Sequence, residues 1–294
     1  MSIERIRSLP CWQGQISVEP LQGGLSNESW KVTDEEGSYV ARFGTDFPFH
    51  HVSRAQEVMA ARAAHAAGFA PRVHYSEPGA MVCAFLTART WGEADMRANP
   101  EAIGTLLRGF HQKMPAHVAG PGAIFWVFHV IRDYAHTLQE NNSRFASDLA
   151  GLTATNKALE AAQMPMPITY GHHDLLPGNF LDDGQRLWLI DFEYAGFGTA
   201  MFDLAGVAGN GGLSADEEAL LLTAYFGAPP NAATLQSFAA MKAAALMREA
   251  MWAMVSEIFL AAPGADYEAH AQDYLSRLAQ SLESYQSQYG KLVS

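Results

Sequence analysis

Three oxygen-bearing side chains stand at spacings that phosphoryl transfer can use. In Gly171-His172-His173-Asp174-Leu175-Leu176-Pro177-Gly178-Asn179-Phe180, an Asp precedes an Asn by five positions, and twelve residues later Asp191 ends the apolar pair Leu189-Ile190. Such chemistry needs one carboxylate to accept a hydroxyl proton, with an amide and a second carboxylate to hold magnesium on ATP. Asp174 suits the base, and Asn179 and Asp191 suit the metal ligands. Each has a plainer reading alone. Asp174 and Asn179 are ordinary turn residues around Pro177-Gly178, and Asp191-Phe192-Glu193 is a weak signal by itself. The conjunction is harder to dismiss. Gln185 to Ile190 reads as a buried strand entered from the turn Asp182-Asp183-Gly184. Strand, turn and strand then return Asn179 and Asp191 to one place, as a shared ion requires.

The flanking elements read as two lobes. Ile16-Ser17-Val18, Ser29 to Thr33 and Tyr39 to Phe43 have strand character, the last two around the turn Asp34 to Gly37. Ser53 to Ala67 reads as a helix with Ser53 as N-cap and Gly68 as C-cap. Val73-His74-Tyr75 and Ala80 to Leu86 add further strands. Composition shifts near Thr87 to Trp91. Helices follow over Pro100–Met114, Phe128–Glu140, Ser147–Gln163, Ala215–Phe226, Leu235–Phe259 and Asp266–Tyr289. The expectation is an α+β, two-lobed protein-kinase-like fold. Residues 1–87 form a small antiparallel lobe with one helix that binds nucleotide, and residues 88–294 a larger, mostly helical lobe with the catalytic and acceptor groups.

On the nucleotide side, Gly23-Gly24-Leu25-Ser26-Asn27 lies between two strands. Glycine there lets backbone amides approach phosphate closely, with Ser26 as a hydroxyl donor and Asn27 beside it; a bare hairpin turn explains the same residues. In a kinase-like lobe the next strand carries a cation for the phosphates, and Val40-Ala41-Arg42-Phe43 offers Arg42. A planar, always-charged guanidinium fits phosphate well. Glu57, on the following helix, is its natural ion-pair partner, or else an exposed helix carboxylate. Ala84, Phe85 and Leu86 would present backbone groups to adenine at the lobe junction.

The whole chain narrows the classes. Its 294 residues suffice for a sizeable core, and 49% are hydrophobic. A formal charge of -12 repels nucleic acid and favours a cationic small molecule. Only Cys11 and Cys83 occur, so no disulfide framework or Cys-rich metal site is expected. Met1 to Trp12 lacks an apolar run, so no signal peptide is read there. Phe238–Ala262 is broken by Lys242, Arg248, Glu249 and Glu257, which argues against a membrane span. A cytoplasmic protein is expected, with a homodimer left open.

Gly-Gly-Leu-Ser-Asn, Arg42, Glu57, His172-x-Asp174-Leu175-x-x-x-Asn179 and Ile190-Asp191-Phe192-Glu193-Tyr194, in that order, resemble the choline/ethanolamine kinase family. That family stands beside the aminoglycoside phosphotransferases among the kinase-like folds. The resemblance runs from about residue 16 to residue 275 and implies magnesium- and ATP-dependent phosphorylation of an amino alcohol. It gives Asp174 the substrate hydroxyl, with His172 ordering the loop; His173 stands where Asn or Gly is common and receives no role. Only eleven residues separate Asp191 from Asp203, where an apolar helix begins, so no long activation loop fits and a protein substrate is disfavoured. The resemblance also implies an ammonium pocket of Trp252 and Tyr267, completed by Glu193 and Tyr194. Val255 and His270 stand where that family has a second Trp and a second Tyr, so the cage is thinner. Trp252 is otherwise a core aromatic. Phe125, Trp126 and Trp91 read as packing residues, and Arg248 and Glu249 as a structural pair. Competing readings are an aminoglycoside kinase, a thiamine kinase, and a non-catalytic nucleotide- or amine-binding relative. Acidic clusters in the last helices would favour an aminoglycoside, but Glu257, Asp266, Glu268 and Asp273 are scattered there.

Overall fold

A computed structural model describes residues 3–21, 28–260, 262 and 264–292. After a short helix α1 (Ile3–Arg7), strands β1 (Ser17–Leu21), β2 (Glu28–Thr33), β3 (Ser38–Phe43), β4 (Val73–Glu77) and β5 (Ala80–Ala84) form one antiparallel sheet in the order β1-β2-β3-β5-β4. The β2–β3 turn forms because the Asp34 carboxylate accepts bonds from the Glu36 and Gly37 amides at 2.8 and 3.0 Å. In β3, Tyr39, Ala41 and Phe43 are buried in a core with Ile6, Leu9, Val32 and Val82. The two-residue period of a strand then turns Arg42 to the opposite face.

Helix α2 (Arg54–Ala66) lies between β3 and β4 and buries Ala60, Ala61, Ala63 and Ala64. It begins where expected, but the Ser53 hydroxyl does not cap it. Asp46 takes that place, accepting the Arg54 amide at 2.7 Å. Gly68, at φ +89°, ends it as read from the sequence.

Beyond β5 come β6 (Arg89–Thr90) and helices α3 (Glu93–Ala98), α4 (Pro100–Lys113), α5 (Val127–Glu140) and α6 (Leu149–Ala161). Strand β7 (Ile168–Gly171) follows, then the hairpin β8 (Phe180–Asp182) and β9 (Leu187–Leu189), then β10 (Gly196–Thr199). β7 and β10 pair antiparallel, and β6-β8-β9 make a third small sheet. Helices α7 (Ala200–Gly211), α8 (Ala215–Phe226), α9 (Ala232–Phe259) and α10 (Tyr267–Tyr289) complete the large lobe. α9 is its axis: Ala, Met and Leu cover it all round from Phe238 to Ser256, and α5, α6, α7 and α10 pack against it. Its interior charges are paired, Lys242 with Glu218 at 2.6 Å and Arg248 with Glu249. Among the described residues no helix is long and apolar enough to cross a membrane.

The segment between β3 and α2 reaches from the small lobe onto α5 and α9. His50 is buried, its Nδ1 3.1 Å from the Tyr134 hydroxyl and its Nε2 3.0 Å from that of Ser256. Phe49 stacks on Phe259, and His51 meets Asp133 at 2.6 Å. Burial, reinforced by the Arg248 charge, pushes the His50 imidazole down to about 3. Folded His50 therefore stays neutral where the unfolded chain binds a proton, so its contribution is complete above about pH 6.5 and is lost as pH falls towards 3. His50→Gln is expected to flatten the fall in urea midpoint between about pH 6 and 4, by roughly one proton's worth of slope, about 1.4 kcal/mol per pH unit. An unchanged slope would remove His50 from this role.

Candidate active site

The loop after β7 is held from below by one buried carboxylate. Asp203, in the first turn of α7, accepts the backbone amides of His172 and His173 at 2.8 Å each. His111 Nε2 of α4 also sits 2.8 Å from it. Burial alone would raise the Asp203 carboxyl, but the His111 bond and the nearby imidazoles outweigh it and hold it far below the usual range. His173 takes φ +63°, and its ring stacks on Phe125 at 4.4 Å. Gly171 of β7, opposite Gly196, and Gly198 of β10, opposite Thr169, leave room for that ring. A Cβ on Gly198 would stand 3.0 Å from His173 Nε2, and one on Gly171 closer still.

On this base, Asp174, Asn179 and Asp191 converge. The Asn179 amide donates to the Asp174 carbonyl at 2.7 Å and to its carboxylate at 3.3 Å. Pairing of Phe180 with Leu189 closes the β8–β9 hairpin, and the Ile190 amide donates to the Asn179 carbonyl at 3.1 Å. Asp191 is next in chain. It adopts φ +67°, uncommon for a residue other than glycine, which re-aims its carboxylate out of the strand direction. His172 Nε2 lies 2.9 Å from the Ile190 carbonyl and ties the two loops. Burial drives the Asp174 carboxyl well above its usual range; Arg248 pulls it down, while Glu249, Asp191 and Glu193 push it up.

Asn179 keeps its side-chain oxygen while its nitrogen is engaged, so together with the Asp191 carboxylate it offers two hard oxygen donors. That set fits magnesium, which takes few protein ligands and completes its shell with phosphate and water. No group of three or more His, Cys, Asp or Glu among the described residues is placed to hold an ion by itself.

Arg42 and Glu57 form the expected ion pair at 3.2 Å, and Arg42 also reaches Asp191 at 2.8 Å. Burial works against the Arg42 charge, but Asp191 and Glu57 outweigh it and fix it. A residue not singled out from the sequence completes the network. Arg54 bridges Glu57 at 2.6 Å and Glu193 at 2.8 Å, joining α2 to the Asp191 segment. Its only sequence signal is its place one turn before Glu57. Phe85 and Leu86 lie half-buried after β5, and the Phe85 amide is taken by the Ser38 carbonyl at 2.9 Å. The loop residues Gly24, Ser26 and Asn27 lie outside the described residues.

The aromatic residues read as an ammonium pocket do gather. Trp252 Nε1 donates to the Tyr194 hydroxyl at 2.9 Å, and its ring is 6.2 Å from Tyr267 and 5.9 Å from His270. Tyr194 and Tyr267 are buried, and Trp252 is half-buried. The sequence does not mark two neighbours as pocket residues: His50, 5.3 Å from Trp252, and Arg248, which reads only as a structural pair with Glu249. The Arg248 guanidinium lies over the Tyr194 ring at 4.3 Å. Glu193 is turned to Arg54; burial, then Asp191, raises its carboxyl against the pull of Arg54 and Arg42. Val255 is fully buried in α9, so that position builds core.

Comparison with known proteins agrees with this geometry. The model of the phosphotransferase enzyme family (APH) matches residues 17–240. A probable ethanolamine kinase of Arabidopsis thaliana is 27% identical over 206 residues, covering 64% of this chain and 54% of the relative. The LicA protein of Haemophilus influenzae is 30% identical over 104 residues, covering 35% of this chain and 39% of the relative. The chain thus spans about half or less of these curated relatives. Among solved structures, a choline/ethanolamine kinase family protein from Mesorhizobium loti superposes with TM-score 0.79 at 26% identity, over 95% of this chain and 93% of the other. The choline kinase LicA of Streptococcus pneumoniae, at 22% identity and TM-score 0.76 over 96% and 97% of the two chains, shares the fold. With its family match running through both lobes, this chain belongs to the phosphotransferase enzyme family.

Proposed function

We propose that this chain is a kinase that transfers the γ-phosphoryl group of ATP to the hydroxyl of a small amino alcohol, of the ethanolamine or choline type. The observation that carries the reading is the meeting of Asp174, Asn179 and Asp191, the last of which lies 149 positions beyond Arg42 in sequence yet is bonded to it. Asp174 orients the acceptor hydroxyl and takes its proton while the oxygen bonds to the γ-phosphorus and the bridging oxygen departs with ADP. Its raised carboxyl makes it a better proton acceptor than an exposed Asp. Magnesium, held by Asn179 and Asp191, would offset charge on the phosphates. Arg42 supplies a fixed positive charge on the small-lobe side, kept in line by Glu57. The loop from Gly24 to Asn27 is proposed to cover the phosphates, and the backbone beyond Phe85, at Leu86, to meet adenine. Tyr194, Trp252 and Tyr267 form the acceptor wall, with Glu193 at its edge. Consumption of ATP suits a cytoplasmic setting.

An aminoglycoside reading finds less support. The acidic residues that would greet a polycation are already engaged: Glu257 and Glu268 by Arg144 at 2.5 and 2.6 Å, Asp273 by Arg277 at 2.8 Å. Asp266 caps α10 through the Ala269 amide at 2.9 Å.

Incubation with ATP, magnesium and a panel of amino alcohols, aminoglycosides and thiamine is the test, read by ADP release and phosphorylated product. An amino alcohol is expected to be the best acceptor; turnover confined to aminoglycosides would overturn the reading. In the same assay Trp252→Ala should raise the acceptor KM about tenfold, as loss of one partly desolvated aromatic contact to a cation predicts. The KM for ATP should barely move. Equal effects on both would make Trp252 a core residue.

A further inference from the structure

The aromatic wall of the acceptor pocket is partly used by the protein itself. Arg248 of α9 is 1% exposed, and its guanidinium carbon lies 4.3 Å from the centre of the Tyr194 ring and 5.9 Å from that of Phe125. A ligand cation rests on an aromatic face at this same separation. The guanidinium is anchored: Nη1 pairs with Glu249 and stands 3.9 Å from the Asp174 carboxylate. Its Nε and Nη2 make no hydrogen bond among the described residues, so the rings are what it packs against. Trp252 is hemmed in as well, with the His50 ring 5.3 Å away and tilted by only 31°. Beside it the pocket offers a hydrogen-bond acceptor instead. His270 Nε2 is buried with no partner among the described residues, and the Glu249 carboxylate is buried in α9 against Arg248, three positions before Trp252.

We propose that Arg248 is a specificity-determining residue that occupies the Tyr194 face against a methylated ammonium, so that the acceptor is an amino alcohol with a primary ammonium. This rests on the reading of the chain as an amino-alcohol kinase. A quaternary ammonium has no N–H and needs several aromatic faces around it, of which Arg248 already takes that of Tyr194 while the His50 ring crowds Trp252. A primary ammonium is smaller and carries three N–H donors. It can be held by carboxylate and imidazole acceptors with Trp252 as its one ring contact. Arg248 repels both cations, so the discrimination comes from the occupied ring and not from charge.

The test is a methylation series. 2-Aminoethanol and its N-methyl, N,N-dimethyl and N,N,N-trimethyl forms are compared as acceptors at saturating magnesium-ATP. In the wild type, kcat/KM should fall with each methyl group, by roughly tenfold or more across the series. In Arg248→Ala the series should flatten, chiefly through a lower KM for the trimethyl form. Arg248→Lys, which keeps a charge but loses the planar stack, should fall between. A wild type that accepts the trimethyl form as well as 2-aminoethanol would overturn the proposal, as would an unchanged series in folded Arg248→Ala. If that variant does not fold, because Glu249 is left unpaired, the wild-type series decides alone. Failure of all four alcohols to turn over would count against the kinase reading. Calorimetric titration of the wild type then ranks their binding, and a trimethyl form that binds as well as 2-aminoethanol, or no binding at all, overturns the proposal.

Discussion

Asp174→Asn is expected to give a folded protein with about a thousandfold lower kcat, the loss that removal of a positioned general base produces. The expectation has two parts because the Asp174 carboxylate is costly where it stands. Burial first, and then Glu249, Asp191 and Glu193, raise its carboxyl well above the usual range, with Arg248 pulling the other way. At neutral pH an ionised group with a raised value weakens the fold, so a neutral amide of the same shape relieves that cost. The bond from the Asn179 side-chain amide to the Asp174 backbone carbonyl survives the change. The thermal midpoint should therefore stay level or rise while turnover collapses, a pattern typical of residues kept for activity at the expense of stability. Parallel melting and steady-state measurements check it. A fall in melting temperature matched by a modest kinetic loss would make Asp174 a structural turn residue.

Asp203→Asn should show the reverse balance. The Asp203 carboxylate accepts two backbone amides and lies 2.8 Å from His111, all buried, and its carboxyl is strongly depressed. An amide has one accepting oxygen and presents N–H groups to donors. About 3 kcal/mol or more of stability should be lost, since charge-assisted bonds are broken and buried donors left unpaired. The sign of the pH effect follows. A depressed carboxyl contributes stability above its unfolded value of about 3.9 and loses it as pH falls towards the lower folded value. The gap in urea midpoint between variant and wild type should narrow below about pH 4. Because Asp203 grips the peptide units just before Asp174, kcat should fall even at temperatures where the variant is fully folded. Unchanged kcat in the folded variant would limit Asp203 to stability.

These two carboxylates also show what a sequence can and cannot reveal. Asp174, Asn179 and Asp191 are legible because they flank one strand–turn–strand, whose turn residues and apolar runs dictate local pairing. α8 and the long helices α9 and α10 are legible from sustained apolar runs, although α9 is so thoroughly buried that its face cannot be read from period. Asp203 shows only as a charge at the start of an apolar helix. Its partners are 30 to 92 positions away and appear only once β7 and β10 pair. Those strands are four residues each with a glycine at a pairing end, too short and too glycine-rich to carry a strand signal. α1 and α3, of five and six residues, are likewise formed by their packing more than by propensity. Arg54 and His50 escape for a related reason: their partners, Glu193, Ser256 and Tyr134, belong to the other lobe. Ser53 is the N-cap residue as read from the sequence, but its hydroxyl makes no cap bond, and Asp46 accepts the Arg54 amide instead.

The destination of the phosphoryl group tests the account most directly. Phosphorus NMR of the wild-type chain with ATP, magnesium and 2-aminoethanol should show a phosphomonoester of the alcohol appearing in equal amount with ADP. Inorganic phosphate as the sole partner of ADP, or ATP left intact with every amino alcohol offered, would contradict it.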